Sequence, residues 1–203
     1  MTEYRLFSKA TVPDFTTPGF FGAHPWVAPA HQTGHAERTQ MTAELIRDVY
    51  GDAQTLSDLG CGDGALLAAI RDLPLRTWGY DAGRANVAQA QAAGLDVRLA
   101  DFLSAPVEFG DLIVMSEVLE HLVDPHGWLV TLPACTLVAS TPSSETDQWH
   151  YIHHAWAWDE AGFAQMIADV GFRVLDQRTV FGGINEHDGP GEQWFQAIAA
   201  VKP

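Results

Sequence analysis

The run Ser116-Glu117-Val118-Leu119-Glu120-His121 follows the apolar stretch 111–115 and places two carboxylates and an imidazole close together. If helical, Glu117, Glu120 and His121 fall at i, i+3 and i+4 and share one face. Three chemistries suit that face. The side chains could hold a divalent cation such as Mg²⁺, Mn²⁺ or a later transition metal. His121 could act without metal as a general base. Or the three could simply cap the helix and anchor it to a neighbouring loop. A fourth ligand has to come from another segment. The stretch "HYIHHAWAW" (150–158) follows the next strand and should return to the same edge of a sheet, with His150, His153 and His154 beside Trp149, Trp156 and Trp158.

A second constellation lies upstream. "LSDLGCGDGALL" (56–67) reads as a strand, a turn containing Gly60, Gly62 and Gly64, and a helix. Glycines allow positive φ and close approach of a ligand to the backbone, and the helix start offers free N–H groups. Gly60-x-Gly62-x-x-Ala65 also fits a dinucleotide-binding fingerprint, so the turn alone leaves a dehydrogenase open. The neighbouring acids argue otherwise. Asp58, two residues before Gly60, suits an ammonium group and not a pyrophosphate. Asp81 ends the next strand, where a carboxylate grips ribose hydroxyls. Asp101 and Phe102 end the third, offering an acceptor for an adenine amino group and a ring for its face. Together they suit a ligand with an amino-acid end, a ribose and an adenine, and no phosphate.

Alternating strands and helices position these groups. Met41, Leu45 and Val49 recur at helical spacing over 35–50. Strands are expected at 55–60, 76–81, 96–101, 111–116 and 135–141, and helices at 65–73, stopped by Pro74, and 84–93, ended by Gly94. Asp124-Pro125 starts a helix that Pro133 stops, and Asp159 caps another that ends at Gly171. The segments 172–181 and 193–202 read as an antiparallel hairpin. The implied fold is α/β, a Rossmann-like, mostly parallel sheet with helices on both faces and an antiparallel last strand. Residues 1–34 are rich in Pro, Gly and aromatics and read as an arm or lid packing on a single domain over 35–203. Phe15, Phe20, Phe21 and Trp26 are too apolar for a solvated tail, and Phe20 and Trp26 could line a lid. His24, His31 and His35 are read as surface or capping residues.

The chain has 203 residues and a formal net charge of −15. Such a charge repels polyanions and anionic membrane surfaces, so neither nucleic acid nor membrane is the expected partner. Cys61 and Cys135 are far apart and show no metal-binding spacing. With no signal-peptide pattern, they suit a reduced, cytoplasmic setting. The tryptophans favour a flat, aromatic small-molecule acceptor.

"DLGCGDG", "GYDAG", "ADFLS", "DLIVMSEVLEHLVDP" and "VASTPSSE" resemble, in order and spacing, the successive motifs of class I S-adenosylmethionine-dependent methyltransferases. The resemblance covers about residues 35–201. It implies a seven-stranded sheet and S-adenosyl-L-methionine as cofactor. The implied cofactor set is Asp58, Gly60, Cys61, Gly62, Asp81, Ala82, Asp101, Phe102 and Ser116, with Arg38 on the first helix reaching the cofactor carboxylate. E-x-x-E-H with a later histidine is also similar to small-RNA 3′-terminal 2′-O-methyltransferases. In that family the residues matching Glu117, Glu120, His121 and His154 bind a divalent metal. A similar run occurs in ubiquinone-pathway-like O-methyltransferases that act on small aromatics. The chain departs from the family in a short segment before "CTLVAST", where "TLPACT" replaces a glycine turn. The expected function is methyl transfer to oxygen or nitrogen of a small molecule, with His121 or His154 as base. The alternatives are 2′-O-methylation of an RNA 3′ end and a catalytically silent cofactor-binding partner subunit.

Overall fold

The computed structural model describes residues 4–6, 34–146, 151, 153–185 and 191–203. The expectations for Phe15, Phe20, Phe21, His24, Trp26, His31, Trp149 and His150 lie outside the described residues. The elements in chain order are β1 (Tyr4–Leu6), α1 (His35–Val49), β2 (Thr55–Leu59), α2 (Ala65–Ala69), β3 (Arg76–Asp81), α3 (Arg84–Ala92) and β4 (Val97–Leu99). Next come β5 (Leu112–Ser116), α4 (Pro125–Val130), β6 (Cys135–Pro142), β7 (Trp156–Trp158), α5 (Glu160–Asp169), β8 (Arg173–Asn185) and β9 (Gly191–Lys202). A short 3-10 turn, Leu119–His121, separates β5 from α4.

Seven strands form one sheet in the order β4-β3-β2-β5-β6-β9-β8. Neighbours from β4 to β6 pair in parallel, while β9 pairs antiparallel with both β6 and β8. This is the expected Rossmann-like sheet, and the order reverses between β2 and β5. Residues Leu112–Met115 are all buried, as central parallel strands covered on both faces must be. The pleat then sorts alternate residues. Ile113, Met115, Leu137 and Ile198 join the core under α4 and α5, with Leu129, Phe163 and Met166. Leu112, Val114, Val138 and Ala199 join the opposite core under α1, α2 and α3, with Leu45, Leu67 and Val87.

Both expected acid caps are present. Asp124 accepts a hydrogen bond from the Gly127 amide at 2.8 Å, and Asp159 one from Gly162 at 2.6 Å. Three elements differ from the sequence expectation. α2 ends at Ala69 instead of Leu73, because Pro74 disfavours helical backbone in the residue before it and the chain unwinds into turns first. The arm contributes a strand, β1, which pairs antiparallel with β7 in a small second sheet. The hairpin strands are longer than expected and carry irregularities at Val174/Asp176 and Phe181/Gly183. No described helix is long and apolar enough to cross a membrane.

Gly79, in the middle of β3, locks the glycine turn against the sheet. A Cβ there would lie 2.6 Å from Cys61 Sγ and 2.9 Å from Cys61 Cβ. Gly79→Ala should therefore cost about 1–3 kcal/mol of stability through overpacking. Cys61→Ala in the same chain should restore part of the loss, since it removes the nearer atom. Urea unfolding of the single and double variants measures both effects.

Candidate functional site

In open α/β sheets, ligands bind outside the carboxyl ends of the strands where the strand order reverses. Here that point lies between β2 and β5, and the two constellations read from sequence flank it. The glycine turn leaves β2 with Gly60 at φ 78, Gly62 at φ 55 and Gly64 at φ 80, all in the left-handed region. The amides of Gly60 and Cys61 both donate to the Tyr80 carbonyl, at 2.8 and 3.0 Å. Asp81 at the end of β3 accepts from Gly62 N–H at 2.9 Å, Gly83 N–H at 2.7 Å and the Asn86 side chain at 3.3 Å. It holds the turn in shape. Ala82 follows in the bend between β3 and α3.

Asp58 is 1 % exposed, and its Oδ1 has no hydrogen-bond partner. Burial, with the Asp81 carboxylate second, pushes its pKa up to about 7. A buried carboxyl without a partner is a costly arrangement, relieved by a cationic ligand. Cys61 differs from expectation. Its thiol is buried in the core against Gly79, and burial drives its pKa well up, so its side chain is a packing group. Asp101 is half-buried and accepts from the Leu103 amide at 3.0 Å. Phe102 meets Trp128 edge-on, with centroids 5.3 Å apart.

The second constellation forms, but not on a helix. Glu117 has φ 57, a left-handed conformation unusual for a residue with a side chain, and only Leu119–His121 make a 3-10 turn. The Glu117 amide continues the β5–β6 ladder by donating to the Ser140 carbonyl on β6 at 3.0 Å, and the chain turns at this residue. The expected helix face over 117–121 is therefore replaced by a tight reversal. Ligand atoms of Glu120, His121 and His154 still converge, all within 4.8 Å of one another. The two imidazole rings meet edge-on, with centroids 4.6 Å apart. The loop before β7 is docked to this turn: the Ala155 amide donates to the Glu120 carbonyl at 2.7 Å, and His121 Nδ1 lies 3.1 Å from the His153 carbonyl.

Glu117 stands beside this trio and outside it. Its Oε1 accepts from Ser140 Oγ at 2.9 Å, and its Oε2 lies 3.6 Å from Arg38. Ser116 Oγ joins the same chain through Ser140 at 2.8 Å. Arg38 also lies over the Phe195 ring and near His35 Nδ1 at 3.2 Å. Glu120 is fully buried, and neither carboxylate oxygen has a hydrogen-bond partner. Burial, then the Glu117 charge, drives its carboxyl well above the usual range. Burial, then His154, holds His121 well below the usual imidazole range and so neutral. An imidazole pair beside an unsatisfied carboxyl could serve as a donor set for a divalent cation, which would also relieve the buried charge.

Two participants escaped the sequence analysis, Ser140 and Glu145. Both lie in "VASTPSSE".

Residues 51–177 match the methyltransferase domain family. The chain belongs to that family. It is similar to the ubiquinone biosynthesis O-methyltransferase of Cereibacter sphaeroides, at 32% identity over 108 residues that cover 47% of this chain and 42% of that protein. The corresponding protein of Ruegeria sp. is 27% identical over 127 residues, covering 52% of this chain and 51% of the relative. The chain thus spans about half the length, or less, of these curated relatives. Among solved structures, the fold is similar to magnesium protoporphyrin IX methyltransferase of Synechocystis PCC 6803 with bound SAH, with TM-score 0.63, 16% identity and 84% of each chain covered. It is also similar to Burkholderia thailandensis 1,6-didemethyltoxoflavin-N1-methyltransferase with bound S-adenosylhomocysteine, with TM-score 0.60, 14% identity, and 81% of this chain and 79% of that one covered. The fold is that of class I S-adenosylmethionine-dependent methyltransferases, as the motif order implies.

Asp58 gives this site a pH signature. Its folded pKa of about 7 lies above the ordinary value of 3.8, so burial of the neutral acid is favoured at low pH. Stability is lost as pH rises from about 4 through about 7, by about 4 kcal/mol at full ionisation. Asp58→Asn should flatten that window, gaining most over the parent chain at pH 8 and least at pH 5. Urea unfolding across the range measures it.

Proposed function

We propose that the protein transfers the methyl group of S-adenosylmethionine to a hydroxyl oxygen of a small molecule with neighbouring hydroxyls, assisted by a divalent metal. The observation that carries this is Glu120: a fully buried carboxyl, unpartnered at both oxygens, within 4.8 Å of ligand atoms on His121 and His154. The O-methyltransferase names of the curated relatives support oxygen over nitrogen.

Both absent groups fit the residues present. The unpartnered Asp58 Oδ1 suits the cofactor ammonium, Asp81 the ribose, and Asp101 with Phe102 the adenine. Gly60, Gly62 and Ala82 leave backbone room beside the methionine and ribose parts. Ser116, at the end of β5, belongs to the same cofactor set, and Arg38, 3.6 Å from Glu117, would also turn to the cofactor carboxylate. S-adenosylmethionine supplies a methyl carbon already made electrophilic by its sulfonium. Glu120, His121 and His154 would hold the metal, flanked by Glu117, and the metal lowers the pKa of a bound hydroxyl and orients a diol.

The chain itself has three tasks. It must hold acceptor oxygen and methyl carbon at near-attack distance, keep water out, and dispose of the hydroxyl proton. The double docking of the 3-10 turn, at Ala155 and His153, supplies rigidity on the acceptor side. Val118 and Leu119 beneath the turn exclude water. Without a metal, His121, which burial keeps neutral, is the group that would take the hydroxyl proton.

A second reading, 2′-O-methylation of an RNA 3′ end, draws on the same convergence of His154 with Glu120 and His121. The net charge of −15 opposes it. Calorimetry and methyl transfer from labelled cofactor test these readings. The protein should bind S-adenosylmethionine and ignore NAD(H). It should methylate a catechol in the presence of Mg²⁺, Mn²⁺ or Co²⁺, lose that activity with EDTA and regain it on metal addition. Glu120→Gln should lower kcat/KM at least about 100-fold. Binding of NAD(H) alone defeats the methyltransferase assignment. Full activity in EDTA defeats metal assistance, and activity on 3′-terminal RNA diols with none on catechols favours the second reading.

A further inference from the structure

We propose that Glu145 is a positioning residue that fixes the orientation and tautomer of His154, presenting Nε2 of that ring as a metal ligand. This rests on the metal-assisted reading of the site. His154 Nδ1 lies 2.8 Å from Glu145 Oε1 and 2.7 Å from Oε2. Both side chains are nearly buried, at 10% and 12% exposure, so the contact is little screened by water. A carboxylate accepts and does not donate, so the proton sits on Nδ1 and the Nε2 lone pair is left for the ligand position. Glu145 is itself held, because Oε1 accepts from the Tyr151 amide at 2.9 Å.

His121 is arranged in the same sense by a different group. Its Nδ1 faces the His153 carbonyl at 3.1 Å, and a carbonyl can only accept, so Nδ1–H donates there too. Both imidazoles therefore offer Nε2, and the two are distinguished by what backs them. A neutral carbonyl stands behind His121 and a carboxylate behind His154. The carboxylate makes His154 the more electron-rich ligand. It also brings a third carboxyl group close to those of Glu117 and Glu120, a crowding that a divalent cation would offset.

The test is a double-mutant cycle on metal affinity, independent of turnover. Mn²⁺ binding to the full chain with S-adenosylhomocysteine present is followed by the electron paramagnetic resonance signal of free Mn²⁺, and repeated with Co²⁺ by absorbance. Glu145→Gln keeps an oxygen acceptor for Nδ1–H and for the Tyr151 amide while removing the charge, so the fold should survive, as unfolding temperature checks. It should weaken Mn²⁺ about 10-fold, and Glu145→Ala up to about 100-fold. S-adenosylhomocysteine affinity should change less than about twofold in either. In a His154→Ala background, Glu145→Gln should add less than about twofold, because its effect runs through that ring. Wild-type affinity in Glu145→Gln and Glu145→Ala overturns the inference. So does an undiminished effect of Glu145→Gln in the His154→Ala background. A parent chain that binds neither Mn²⁺ nor Co²⁺ overturns the metal reading itself, and this inference with it.

Discussion

Asp58, Asp81, Glu117 and Glu120 stand at the carboxyl edge of one sheet, and burial holds each carboxyl above its usual range. Taking a carboxylate out of water is expensive unless something replaces the lost hydration. Asp81 receives two backbone amides and an asparagine, and Glu117 receives a serine hydroxyl and faces Arg38. Asp58 Oδ1 and both oxygens of Glu120 receive no hydrogen bond. The four acids thus divide by compensation. The satisfied pair is tied into the protein's own hydrogen bonds, and the unsatisfied pair leaves buried oxygens without a partner. They sit on either side of the switch point, one beside the glycine turn and one beside the histidines.

The two halves are also in contact. A Cβ at Gly60 would lie 2.6 Å from Val118 Cγ2, so the cofactor turn packs directly on the residue between Glu117 and the 3-10 turn. Gly60 is required both for its φ and for this approach. A shift of the cofactor turn would therefore push on the segment carrying Glu120 and His121. Behind the turn, Cys61 fills the space above Gly79, and the close-packed core resists such shifts. Near-attack geometry needs this stiffness, because small misplacements of either reactant cost rate.

Sequence patterns made the frame legible and left part of the site hidden, for definable reasons. Apolar runs such as "LIVM" announce buried parallel strands, and Asp124 and Asp159 announce helix starts through local capping chemistry. The backbone at Glu117 was not legible. Spacing at i, i+3 and i+4 suggests a helix, but Glu117 is left-handed, and its amide and side chain both bond to Ser140 on another strand. The pairing of Tyr4–Leu6 with Trp156–Trp158 is hidden for the same reason, since its partners are distant in sequence. Arg38 was read as a cofactor-carboxylate ligand. It also faces Glu117, a contact made across the molecule between α1 and the turn after β5 that spacing does not announce. The convergence of His154 on Glu120 and His121 was visible because its segment had to return to the same edge. Glu145 was hidden because one acid among the chain's 26 Asp and Glu carries no signal until its partner is known.

The choice of acceptor follows from the range of the forces involved. A catechol and a terminal ribose both present adjacent hydroxyls, and the local cluster of Glu120, His121 and His154 offers nothing that separates them. Discrimination has to come from what is attached to the diol. An RNA end brings phosphates, whose charge acts over about 8 Å at physiological ionic strength, against a protein of net charge −15. Arg38 is the cation that stands at the described site, and it is engaged by Glu117. A neutral aromatic diol carries no such penalty, and its ring could gain from the aromatic residues of the acceptor side. On the proposed function, short-range geometry would select the reacting group, and long-range charge the molecule that carries it.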